Sequence, residues 1–61
     1  MKYQVIKIEK NYVGTYNFED VKPALEMLKI FIEEAELEKV LDITQEIYLT
    51  HNGKIVARWE K

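Results

Sequence analysis

One amphipathic helical stripe, set between two strand-like runs, constrains this chain most. Val21, Ala24, Leu25, Leu28, Phe31, Ile32 and Ala35 recur at the i, i+3, i+4 spacing of a single helix face. At 100° per residue they fill an arc of about 120°, and such a stripe is stable only against another apolar surface. Asp20 stands where an N-cap is needed, its carboxylate placed to accept a hydrogen bond from a first-turn amide at the positive end of the helix dipole. Pro23 then falls in the first turn, where a missing N–H costs nothing. Continuing the helix beyond Ala35 would carry Lys39 and Asp42 to the buried side, so the helix is expected to end at 36–38. The connector at 38–42 is expected to close the end of the core with Val40 and Leu41.

The surface that receives this stripe must come from the two flanks, and both read as hairpins. Residues 2–9 and 12–17, turning at Lys10 and Asn11, are rich in β-branched and aromatic side chains. Two registers compete: a two-residue turn pairs Ile8 with Val13 and Val5 with Tyr16, whereas a three-residue turn pairs Ile8 with Tyr12 and Lys7 with Val13. Gly14 would weaken an ordinary strand and suggests a bulge or a close approach of the backbone. Residues 43–50 and 54–60 flank Asn52-Gly53, a strong hairpin signal. A three-residue loop through His51, Asn52 and a left-handed Gly53 predicts Leu49 opposite Ile55, Ile47 opposite Ala57 and Gln45 opposite Trp59. The other face then pairs Thr50 with Lys54, Tyr48 with Val56, and Glu46 with Arg58, which separates an apolar side from a charged one.

These elements predict a single α+β domain over residues 1–61 in the order ββαββ: a four-stranded sheet of two antiparallel hairpins with one helix packed on one face. This element order, at nearly this length, resembles the immunoglobulin-binding domains of protein G. The resemblance implies that the first and last strands run parallel at the centre of the sheet. It is one of architecture without a shared motif, and fold does not license function.

Composition bears mainly on chemistry. The 61 residues contain no cysteine and no serine, and His51 is the single histidine; a disulfide framework and cysteine-based zinc sites are excluded. His51 falls at a hairpin tip, where it reads as a turn residue rather than a general base. No apolar run approaches the ~20 residues that span a bilayer, and Lys7 and Glu9 interrupt what would be a signal-peptide core. A cytoplasmic location without membrane contact is therefore expected. Charge is divided by region: Lys2, Lys7 and Lys10 oppose only Glu9 in residues 1–17, whereas residues 18–42 set eight acids against Lys22, Lys29 and Lys39. The helix is the acidic element and its carboxylates read as a solvated exterior; the sheet is faintly basic.

Neither a catalytic set nor a cofactor-binding motif is present in the sequence, so no enzymatic activity and no cofactor are expected. Candidate contact residues are the apolar side chains the pattern turns outward. Met27 and Ile30 project about 100° and 160° from the centre of the stripe, with Leu37 near them if the helix reaches that far. On the sheet face away from the helix, Tyr48 and Val56 lie beside Arg58, and aromatic residues and arginine suit interface centres. The expected function is a non-catalytic protein-interaction module, acting as a homodimer or as a small adaptor or regulator of a larger protein. The alternative is single-stranded nucleic-acid binding on an open sheet face, enriched by any of Tyr3, Val5, Tyr12 and Tyr16 that fall there.

Overall fold

A computed structural model describes residues 2–61. Strands β1 (Tyr3–Glu9) and β2 (Tyr12–Phe18) form the first hairpin, helix α1 (Val21–Leu37) follows, and a 3-10 turn (Lys39–Leu41) leads into β3 (Thr44–His51) and β4 (Lys54–Glu60). The sheet order is β2-β1-β3-β4 with every neighbouring pair antiparallel. The ββαββ order, the antiparallel hairpins and the helix on one face are as the pattern predicts. The centre of the sheet is not what the resemblance to protein G implies: β3 rather than β4 lies beside β1, and it runs antiparallel. The reason lies in the side chains. β1 and β3 carry Val5, Ile47 and Leu49 inward, and all three are buried, while β4 carries Lys54, Arg58 and Glu60, which suit an edge.

The first hairpin takes the two-residue turn, with Glu9 opposite Tyr12, Ile8 opposite Val13 and Val5 opposite Tyr16. Gly14 lies opposite Lys7 without a bulge; a Cβ there would sit 3.1 Å from ring atoms of both Tyr12 and Tyr16, so the close approach is that of its own neighbours. The second hairpin departs from expectation. Its loop is two residues long, with His51 opposite Lys54, and both Asn52 (φ 51°) and Gly53 (φ 84°) are left-handed, as a type I′ turn requires. A register shift then leaves Val56 unpaired, and beyond it Leu49 faces Ala57, Tyr48 faces Arg58 and Ile47 faces Trp59. The bulge returns Ala57 and Trp59 to the helix side, so the separation of faces holds from Ala57 onward. Before the bulge it does not, since Ile55, expected opposite Leu49 on the apolar face, lies exposed opposite Thr50, and Lys54 lies opposite His51. Gly53→Val should destabilise by about 1–3 kcal/mol, because a β-branched residue is strained at that φ, whereas Asn11→Val, at a position of ordinary φ, should cost less. Denaturant melts of the two variants compare them directly, and equal losses would contradict the turn assignment.

Helix α1 docks over the central strands. Val5, Ala24, Leu28, Ala35, Ile47 and Leu49 form the buried core, flanked by Tyr3, Tyr16, Phe18, Met27, Phe31, Ile32, Ala57 and Trp59. The buried stripe is rotated toward Met27 relative to the sequence pattern, so Val21 and Leu25 are left at the exposed margin. The cause is the aromatic side chain on β2: the Tyr16 ring packs against Phe31, centroids 5.3 Å apart, and draws that side of the helix down. On the opposite flank the Trp59 indole N–H donates to Glu36 Oε2 at 2.7 Å, tying β4 to the last turns of the helix. Asp20 occupies the N-cap with extended backbone, but its side chain makes no capping hydrogen bond. Past the helix, Asp42 is left-handed (φ 57°) and accepts an ion pair from Lys10 Nζ at 3.2 Å and another from Lys61. These contacts fasten the connector to the first turn and to the last residue. Among the described residues no helix is long and apolar enough to cross a membrane.

Candidate functional site

The sheet register decides which side chains the open face presents. Tyr3, Val5, Lys7 and Glu9 of β1 lie opposite Phe18, Tyr16, Gly14 and Tyr12 of β2, and Tyr3, Val5, Tyr16 and Phe18 all pack with the helix. Because side chains alternate, Gln4, Ile6 and Ile8 face the other way, together with Val13, Thr15 and Asn17, then Glu46, Tyr48 and Thr50 across β3. Tyr3, Val5, Tyr12 and Tyr16 thus all fall on the helix side, and among the described residues Tyr48 is the single aromatic of the open face. The aromatic platform on which nucleic-acid stacking would depend is not assembled.

Tyr48 and Arg58, opposite each other on β3 and β4, form the centre of a polar group. The Tyr48 hydroxyl donates to Glu46 Oε1, the Arg58 guanidinium donates to Glu46 Oε1 at 3.2 Å and to Glu60 Oε2 at 2.7 Å, and it lies 5.6 Å from the Tyr48 ring centroid. The predicted Glu46–Arg58 pair therefore exists, but diagonally, because the bulge sets Arg58 against Tyr48. The hydrogen bond to Glu46 holds the Tyr48 phenol above its ordinary value of 10.0, with desolvation and the Glu46 charge adding to it and Arg58 opposing. Glu60, first, holds Arg58 more firmly protonated. Both residues are thus engaged with neighbours of their own.

The remaining candidates separate. Met27 is half-buried and packs against the core instead of projecting outward; the rotation of α1 that exposes Leu25 is what covers part of it. Ile30 is exposed, as its angle predicts. Val56 is exposed, but as the unpaired residue of the bulge rather than opposite Tyr48. His51 ends β3 with its ring stacked on Tyr3, centroids 4.5 Å apart and nearly parallel. Among the described residues there is no enclosed pocket and no grouping of three or more His, Asp and Glu side chains that could hold a metal ion.

Two of the most exposed apolar side chains, Val40 and Leu41, lie where the sequence pattern places core, and a third, Leu37, lies on the outward helix face where it is expected. Val40 and Leu41 do not close the end of the core: they are 89% and 61% exposed, and Leu37 beside them is 84% exposed and Ile43 40%. The 3-10 turn buries none of its residues before β3 begins, so these side chains cover nothing. A signal for them was present. Leu37 lies seven residues after Ile30, hence on the same outward face, and α1 does extend to Leu37. The chain matches no protein-family model, no curated protein and no solved structure.

Proposed function

We propose that this chain is a non-catalytic protein-interaction module, serving as a homodimer or as a small adaptor or regulator bound to a larger protein. The observation that carries this reading is the apolar end at Leu37, Val40, Leu41 and Ile43, left in water by the 3-10 turn. Burying one such side chain fully is worth about 1.5–3 kcal/mol, and a small domain that leaves several of them out within residues 37–43 gains that energy only through another surface. Ion pairs from Asp42 to Lys10 and Lys61 brace the connector, so the apolar residues are presented on a held segment. Ile30 extends the same helix face. Capture of partners from native lysate, combined with light scattering of the purified protein, tests the reading. A strictly monomeric protein that retains nothing would count against it.

A further inference from the structure

We propose that β2 is a self-pairing edge, joining β2 of a second copy antiparallel about a two-fold axis through Thr15 to make a continuous eight-stranded sheet. This surface is separate from the Leu37–Ile43 end. It rests on backbone direction, which the hydrogen bonds fix. The Asn52 N–H donates to the Lys2 carbonyl and the Lys10 N–H to the Ile43 carbonyl, so the even-numbered residues of β1 turn their backbone groups toward β3. The odd-numbered ones, Tyr3, Val5, Lys7 and Glu9, therefore turn toward β2, where they meet Phe18, Tyr16, Gly14 and Tyr12. Val13, Thr15 and Asn17 are left with N–H and C=O groups directed away from the sheet.

The two edges of the sheet are not alike. β4 is guarded by the register shift at Val56 and by Lys54, Arg58 and Glu60, devices that discourage strand addition. β2 has none of these. Its seven residues contain no charge and no proline, and they pair with β1 without a register shift.

Self-complementarity selects a second copy as the occupant. With Thr15 opposite Thr15 of the second copy, Val13 opposes Asn17, and these are the residues whose backbone groups are free to bond. Gly14 then opposes Tyr16, and the half-exposed Tyr12 ring opposes Phe18. Threonine pairs are favourable cross-strand neighbours. Beyond the paired strands the same register brings the turn bearing Lys10, whose ammonium already pairs with Asp42 at 3.2 Å, to the side of Glu19-Asp20 of the second copy, so the two strand ends that approach carry no like charge. A parallel arrangement would set those acids against themselves.

Light scattering and sedimentation of the full chain test this directly. The wild type should be a dimer with Kd below ~0.1 mM. Thr15→Pro removes an outward N–H that β1 does not use, a position where edge strands accept proline, and should weaken the dimer by about a hundredfold while circular dichroism stays native. Thr15→Lys and Thr15→Glu each set like charges together at the two-fold axis and should weaken the dimer several-fold, and an equimolar mixture of the two should restore it. A dimer at ~0.1 mM that Thr15→Pro leaves intact, a wild type that is monomeric there, or no recovery in the mixture would each overturn the proposal. Leu37→Glu/Val40→Glu should remain dimeric. Loss of the dimer in that variant, with Thr15→Pro unaffected, would assign self-association to the apolar end instead.

Discussion

Ile47→Ala is expected to destabilise the protein by about 3 kcal/mol, the usual loss for truncating a fully buried isoleucine plus the cavity left behind. Ile47 is completely buried on central β3, facing Lys7 of β1 on one side and Trp59 of β4 on the other, beneath the helix. A domain of this size holds only about 3–9 kcal/mol in total, so the variant should be partly unfolded at physiological temperature. Ile55→Ala, an isoleucine of the same size exposed on edge strand β4, should change stability by no more than about 0.5 kcal/mol. Urea melts of the pair make the comparison. Similar midpoints for the two would mean that β3 does not occupy the centre of the sheet beneath α1.

The second large effect concerns binding. Leu37→Glu combined with Val40→Glu should abolish capture of the partner, weakening it by at least about a hundredfold, since truncation at an interface centre costs 2 kcal/mol or more per side chain and here a charge is added at each. Both side chains are almost wholly exposed, so the melting temperature should hardly change. Quantitative pull-down, read beside a thermal melt, separates the two outcomes. Undiminished capture by the double variant would move the contact surface elsewhere, with the open sheet face next to be mutated through Tyr48 and Arg58.

Much of the fold was legible in the chain because its signals are local. The i, i+3, i+4 stripe from Val21 to Ala35 placed α1 correctly, and Asn52-Gly53 placed the second hairpin. Alternation along β3 and β4 sorts Ile47, Leu49, Ala57 and Trp59 from Glu46, Tyr48 and Arg58 although the loop is one residue shorter than expected, and it misplaces only Ile55 and Lys54, which precede the bulge. That error was masked by the bulge at Val56: a two-residue loop would have mixed the faces, and one extra residue in β4 restores them. No local pattern encodes such a compensation.

The candidate site was less legible, for a related reason. Helix angles give directions around α1 but not how far the helix rolls on the sheet, and the Tyr16–Phe31 contact that sets this roll joins residues far apart in sequence. Met27 was therefore read as outward when it packs against the core. Being apolar, Val40 and Leu41 fit the core pattern, yet the 3-10 turn, closed by a left-handed Asp42, buries neither of them. The order of the strands also depends on contacts beyond each hairpin. Charge alone does not encode it, since Lys54, Arg58 and Glu60 suit β4 to an edge but the other edge, β2, is uncharged and central β1 carries Lys7 and Glu9.

With self-association assigned to the β2 edge, the end of the molecule bearing Val40 is open in the purified protein, monomer or dimer, and is covered by a larger protein in its native setting. Because the chain has no cysteine of its own, Val40→Cys creates a unique attachment point for a polarity-sensitive fluorophore. Water-like emission is expected from the purified, labelled protein and a blue shift when native lysate is added, reversed by excess unlabelled wild type but not by Leu37→Glu/Val40→Glu. Emission already blue in the purified protein would put a second copy on this end instead of on β2, and emission that does not move with lysate would leave the end without a partner; either result overturns this assignment.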